Sequence, residues 1–396
     1  MGLFQQVFGD GARHRQVKDS VLDVFKDRIR DAASQGQRLR VQGGNTKPFY
    51  GDIRTPAQVL DTRDWAGIVS YEPSELVVTV RAGTSLAELE AVLAEQGQCL
   101  AYEPPHFGAS ATVGGMVAAG LAGPARASVG GVRDHVLGVQ LINGLSEHLT
   151  FGGQVMKNVA GYDVSRLMAG SLGTLGLITE VSLKVLPVAP AEATLMCAVS
   201  QADALVLLHR WGGQALPLNA SAWVHDSTAT PAQDLLFVRL RGAVAAVESA
   251  CPRMMADVTA VGGSAQRMDQ QQAAADWTAS REQTLPFFQA PHASMCLWRL
   301  SLPQTAPVLN LSDAQYIEWH GGLRWLWAPA DAATSLREAA QAVGGHATLF
   351  RAPVQATGEL PAVFHPLPAV QQRIQRELQQ QFDPHGVFNT GRTGLL

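Results

Sequence analysis

The sequence predicts an α+β protein in two parts, a glycine-rich portion followed by a smaller α+β cap, and three observations carry that prediction. Of its 38 glycines, 21 fall between Gly43 and Gly176, about a third of the chain. Seven of the eight tryptophans lie beyond residue 200, where glycine loops become scarce and strand-like and helix-like segments alternate. Between these regions Pro187, Pro190 and the following APAEA form the clearest linker, which places a boundary near residue 188. The expected division is residues 1–188, a cap over 189–360, and a tail over 361–396 that returns to the first part.

Taken in order, DSVLDVFKDRIRDAASQ sets Val21, Phe25, Ile29 and Ala32 on one helical face, with Asp19 or Ser20 as cap and Gly36 as stop. RLRVQ reads as a short strand that runs directly into the loop GGNTKPFYG. VLDT, GIVSYEP and ELVVTVRAG read as strands from their β-branched content. TSLAELEAVLAEQG is a helix, with Ser85 and Glu88 spaced as a capping box and Gly97 as its stop. CLAYEPPHFG returns as strand and loop, and the small residues from Phe107 to Gly123 form a loop leading into a helix. HVLGVQLIN and EHLTFGG make a hairpin through Gly144 to Ser146, and GTLGLITEVSLKVLP ends in an alternating strand.

In the cap, TLMCAVS, SAWVHD, LLFVRLRG, SMCLWRLSL, YIEWH, LRWLWAP and ATLFRAP read as strands. ADALVLLHRWG, AVAAVESACPRMMADV and DAATSLREAAQAVG read as helices. The simplest arrangement is a sheet with helices on one side. QQRIQRELQQQF supplies a final helix before a loop broken by proline and glycine.

Composition excludes several classes of function. The 396 residues suffice for two or three domains, and 46% hydrophobic with 16% charged residues is a globular balance. A net charge of −4 without a basic run offers no footprint for nucleic acid. The stretch from Ala109 to Gly123 is too short and too rich in glycine to span a bilayer. The start of the chain has no signal-peptide core, so the expected location is the cytoplasm. Cys99, Cys197, Cys251 and Cys296 are too far apart in sequence for a CxxC pair and read as buried thiols.

The chemistry lies in the glycine loops. Without a Cβ, the backbone can approach a ligand closely and present its N–H groups, so an extended anion is the natural guest. Gly43 to Thr46 alone is most simply an ordinary turn; it gains weight beside the second loop, Phe107 to Gly115. The dinucleotide fingerprint GxGxxG is absent, since Gly170, Gly173 and Gly176 are spaced GxxGxxG. A Walker lysine, HExxH and GxSxG are also missing.

RVQGGNT, GASATVGGMVAAGLAG, GGVRDHVLG, KNVAGYDVSRLMAGSLGTLGLITEVSLKVLP and FDPHGVFNTGR occur in the order seen in FAD-linked oxidases of the vanillyl-alcohol oxidase and p-cresol methylhydroxylase type. Within that family the chain resembles the smaller FAD-binding subunits of bacterial glycolate oxidases. The resemblance covers most of residues 20–188 and the last dozen or so. It implies that the first part is the two-part FAD-binding domain of this type. Gly43, Gly44, Asn45 and Thr46 would flank the pyrophosphate on one side, and Gly108, Ala109, Ser110, Thr112, Gly114 and Gly115 on the other. Gly173, Gly176 and the backbone of Ile178 would line the adenosine or isoalloxazine path.

Some members tether flavin through a histidine after the first glycine pair; Asn45 stands there, so the FAD is expected to be non-covalent, and His106 is read as structural. Lys157 and Asn158 have two readings, polar contacts near the flavin or a surface helix start. EWHGG faintly resembles the Glu-His-Gly element of related 2-hydroxy-acid dehydrogenases. Without the histidine pair of that site, no metal is expected and His320 is read as a core or interface residue.

The implied chemistry is oxidation of a small 2-hydroxy acid. The implied partners are a larger FAD-binding glycolate oxidase subunit and an iron–sulfur subunit, which would bring the chain to the inner membrane as a peripheral component. No residue is identified as the base. Two alternatives stay open: a non-catalytic assembly or electron-relay subunit, and a stand-alone FAD oxidase of another alcohol.

Overall fold

A computed structural model describes residues 11–52, 56–153, 163–228, 230–311, 314–353 and 360–394. The glycine-rich half opens with α1 (Gly11–Gln35), β1 (Leu39–Gln42) and β2 (Gln58–Asp61), the two strands pairing in parallel. Phe25, Ile29 and Ala32 of α1 are buried against Leu39, Leu60 and Trp65, as their 3.6-residue spacing requires. The helix begins well before Asp19 and Ser20, so neither residue caps it. It stops at Gly36, whose φ of +62° is cheap only for glycine.

β3 (Ile68–Glu72), β4 (Val77–Arg81), α2 (Leu86–Glu95) and β5 (Gln98–Cys99) follow. Next come α3 (Val113–Ala119), α4 (Arg126–Val129), α5 (Val132–His135) and the hairpin β6 (Val136–Ile142) and β7 (His148–Gly152). α6 (Val164–Leu167), β8 (Leu177–Lys184) and β9 (Leu186–Pro187) complete the half. Strands β3, β4, β8, β6 and β7 form, in that order, a five-stranded antiparallel sheet.

Leu86, Leu89 and Leu93 of α2 and Met116 and Val117 of α3 share one core with Val78, Val80, Val139 and Val181 of this sheet. Ser85 is the N-cap of α2, but its side chain makes no capping bond, so the expected capping box is not formed. Its backbone instead bridges to Thr112, which ties the start of α2 to the second glycine loop.

The second half contains β10 (Ala191–Ala198), α7 (Gln201–Gly212), β11 (Leu218–Asp226), β12 (Gln233–Gly242), α8 (Val244–Ala260) and β13 (Ser264–Arg267). α9 (Gln270–Glu282), β14 (Cys296–Ser301), β15 (Gln315–Glu318), β16 (Leu323–Ala328), α10 (Ala333–Ala342) and β17 (His346–Arg351) follow. All eight strands join one antiparallel sheet in the order β13, β10, β12, β11, β15, β16, β14, β17.

Side chains alternate across this sheet. Leu236, Val238 and Leu240 pack with α7 and α8, and Trp298, Leu300 and Leu326 pack with α10. On the opposite face Ala220, Ala222, Leu297, Tyr316 and Trp325 meet Tyr50, Leu121 and Leu172 of the first half, together with Trp277 of α9. Helices therefore flank both faces, a correction to the one-sided arrangement. The segment of α9, with three glutamines and three alanines before its single Trp277, lacks the apolar stripe that would have announced it.

Trp298, Trp319 and Trp325 are all buried, so they build the core and the junction between the halves. The tail helix α11 (Ala369–Phe382) leads to Phe388, whose backbone bridges to Leu39. Among the described residues no helix is long and apolar enough to cross a membrane.

Candidate functional site

The first glycine loop leaves β1 and touches the second loop backbone to backbone. A Cβ added to Gly44 would lie 1.5 Å from the Ser110 carbonyl oxygen, and one on Gly43 would lie 2.2 Å from Thr112 Oγ1. Only glycine fits either position. The Ser110 hydroxyl donates to the Gly44 carbonyl at 2.7 Å and locks the loops together. Asn45 follows in the left-handed region, at φ +52°. Thr112 then caps α3 by accepting the Gly115 N–H at 3.3 Å.

Gly114 and Gly115 do different work. A Cβ on Gly114 would strike the Ala82 Cβ at 2.6 Å, so Gly114 lets α3 lie against the sheet. One on Gly115 would meet only the flexible Thr112 hydroxyl at 3.1 Å, on the side open to a cleft. That cleft, of about 100 Å³, is lined by Gly43, Gly44, Asn45, Thr46, Thr112, Gly114, Gly115, Gly173, Gly176 and Ile178. Segments more than 100 residues apart thus converge on one cleft.

Gly108 and Ser110 line a wider outer hollow of about 650 Å³, which shares Gly44, Asn45 and Thr46 with the cleft. Ala109 is exposed and lines neither space, so its expected contact is not supported by the geometry. Lys157 and Asn158 lie outside the described residues. His106 is held by Glu90 of α2, with Nε2 3.0 Å from the carboxylate, and lines neither space either.

Among the cleft residues that the sequence reading did not name are Lys47, Tyr50, Asn389 and Arg392. Lys47 Nζ donates to the His106 carbonyl at 3.0 Å and to Thr46 Oγ1 at 3.3 Å. Burial pushes its pKa down to about 8, against a smaller opposing pull from Glu282. Asn389 accepts from the Val41 N–H at 3.0 Å and donates to the Leu172 carbonyl at 2.6 Å. Arg392 donates to the Lys47 and Tyr50 carbonyls at 3.1 Å and so fixes the first loop from behind. The signal for both tail residues was present in FDPHGVFNTGR, but it named no individual contact.

The outer hollow carries one further cation. The Arg351 guanidinium stacks on Phe49 at 4.6 Å, Phe107 at 5.2 Å and Phe350 at 5.5 Å from the ring centroids. It has no carboxylate partner among the described residues. Burial lowers its pKa only to about 10, so it stays protonated at neutral pH. Glu282, the one carboxylate among the described residues lining the hollow, accepts the backbone N–H groups of His106 and Phe107.

The EWHGG element is buried at the junction between the halves. His320 contacts the Ser128 hydroxyl at 2.9 Å and that of Ser221 at 3.0 Å, and burial pushes its pKa down to about 4. Glu318 accepts from Trp325 Nε1 at 2.7 Å and from the Ser280 hydroxyl at 3.1 Å. Burial pushes its carboxyl up to about 7. Among the described residues no group of three or more His, Cys, Asp or Glu is placed to hold a metal ion.

The residues present suit FAD. Two loops with glycines at the cleft and one lysine offer an extended diphosphate its donors, while Ile178, Ala119 and Leu172 give a ring system apolar walls. The comparisons agree. A family model described as an FAD binding domain matches residues 22–166. Glycolate oxidase subunit GlcD of Bacillus subtilis (strain 168) is 32% identical over 162 residues, which are 41% of this chain and 33% of that protein.

Among solved structures, alkyldihydroxyacetonephosphate synthase shares the fold with a TM-score of 0.65 at 15% identity, over 92% of this chain and 74% of its own. Glycolate oxidase subunit GlcE of Escherichia coli (strain K12) is 43% identical over 366 residues, 92% of this chain and 95% of that protein. With its fold and both glycine loops in place, the chain belongs to the family of glycolate oxidase subunit GlcE.

Proposed function

We propose that this chain is the FAD-binding subunit of a glycolate oxidase complex, in which glycolate or a related 2-hydroxy acid is oxidised to the 2-oxo acid. The observation that carries the reading is the convergence of both glycine loops with Gly173, Gly176 and Ile178 on one cleft. In this reading residues 1–188 with the tail 361–396 form the FAD-binding unit, and residues 189–360 form the cap.

The backbones of Gly43, Gly44 and Gly115, with Lys47, hold the diphosphate. Asn45 supplies no nucleophile for a covalent tether, and His106 is engaged by Glu90, so the FAD is dissociable. When bound, the flavin supplies a two-electron acceptor. Arg351, held by three rings, offers two parallel N–H groups to the carboxylate of the hydroxy acid at the outer hollow. A larger FAD-binding subunit and an iron–sulfur subunit take the electrons onward, with the complex peripheral to the inner membrane.

A second reading, an electron-relay or assembly subunit, is favoured by one feature. The only carboxylate among the described residues lining the outer hollow, Glu282, is already engaged with backbone, so the hollow shows no free base. The anaerobic visible spectrum of the purified chain with glycolate separates the two. Bleaching of the flavin supports direct oxidation, and Arg351→Gln should then raise the glycolate concentration needed by at least about tenfold while FAD stays bound. A flavin that stays oxidised in the isolated chain supports the relay.

A further inference from the structure

The sheet face that meets the glycine-rich half also walls a separate cavity of about 400 Å³ under α9, which shares no lining residue with the cleft or the outer hollow. Phe237, Trp277, Phe287 and Tyr316 give it an aromatic body, and Ala222 and Ala273 leave its floor open. Such a volume suits one small organic molecule.

Its polar groups are one-sided. The Tyr316 hydroxyl donates to Ser280 at 3.1 Å, and the Ser280 hydroxyl donates in turn to Glu318. The Thr228 hydroxyl donates to Asp226 at 2.6 Å, and the Gln272 side-chain amide donates to Asp276 at 2.9 Å. These hydrogens are spent within the protein, which leaves the cavity mainly acceptors to offer. Asp226 and Asp276 both line it, and no lysine or arginine does so among the described residues. The His225 ring is held by Asp234 at 2.7 Å.

We infer that this cavity binds a small amphiphilic cation, an apolar body with an ammonium or amidinium head directed at Asp226 and Asp276. Aromatic walls favour a cation electrostatically as well as by contact. A 2-hydroxy acid anion is disfavoured here, because among the described residues the lining carries two carboxylates and no lysine or arginine. The site is therefore distinct in chemistry from the hollow at Arg351.

The test uses the full FAD-loaded chain and calorimetric titration with 4-phenylbutylamine, 4-phenylbutanol and 4-phenylbutyrate as probes. The amine should bind at least about tenfold more tightly than the alcohol, and the acid should be weakest, with the flavin spectrum unchanged. Ala222→Phe, which fills the cavity, should abolish amine binding. Should that variant fail to fold, the D226N/D276N double variant should bring the amine down to the affinity of the alcohol. Equal binding of all three probes, no binding at millimolar concentration, or amine affinity untouched by the substitutions would overturn the inference.

Discussion

Lys47 shows how a single side chain can set the conditions for ligand binding. Its ammonium lies at the cleft, and burial brings its pKa from 10.5 down to about 8. Burial penalises the cation, which still predominates at pH 7 and is lost as pH rises through about 8, and a bound anion favours it. FAD affinity should accordingly fall as pH rises from 7 to 9, and Lys47→Met should flatten that dependence while lowering affinity at pH 7. Fluorescence-quench titration across this range checks both. Equal pH profiles would show that Lys47 does not face the diphosphate. Chemically, the residue was visible in GGNTKPFYG; its burial was not, because that depends on His106 and Phe107 approaching from about 60 residues away.

At the scale of elements, the glycines of the two loops differ in what an added side chain would meet. Gly44 is closed off by the Ser110 carbonyl, whereas Gly115 is open to the cleft. Gly44→Ala should therefore part the loops and abolish FAD binding. Gly115→Ala should leave the circular dichroism of the chain unchanged and weaken FAD by about tenfold or more, as a methyl group enters the ligand's space. FAD retained through gel filtration reads out the first, and equilibrium titration the second. Full affinity in Gly115→Ala would move the ligand away from this face of α3.

The same scale shows where periodic patterns are informative. Strands β10, β11, β12 and β14 to β17 carry dense apolar and aromatic residues, and all fall where those residues predict them. β13, written SAQR, and α9 have no such pattern, and they form because the rest of the sheet and Trp277 hold them. Ser85 illustrates the reverse case. The capping-box spacing is present, but pairing of its backbone with Thr112 takes precedence over the local cap.

Across the whole molecule, the two halves are held by buried charge as well as by apolar surface. Glu103 accepts from Arg239 at 2.7 and 2.8 Å and from Arg241 at 3.1 Å, and it also meets the Ala125 N–H. Burial opposes its charge, but the two guanidiniums outweigh it and hold its carboxyl below the usual range. Glu103→Ala would strand Arg239, which is almost fully buried, and should cost about 3 kcal/mol in urea denaturation. A loss below about 1 kcal/mol would mean that the junction does not depend on this bridge. His320, set between Ser128 and Ser221, belongs to the same junction.

The sequence by itself determined the α+β class, the order of most elements, the two glycine loops and the family, because each rests on local spacing or on long matched blocks. Only the tertiary structure decided which glycine is closed off by a neighbour and which is open to the cleft, and that Arg392 and Asn389 line the cleft from the far end of the chain. It also decided that Arg351 stacks on three rings without a carboxylate partner among the described residues, and that Asp226 and Asp276 both line a second cavity. The physical reason is the same in each case. Burial, desolvation and close contact are properties of what surrounds an atom, and here those surroundings come from residues tens to hundreds of positions away.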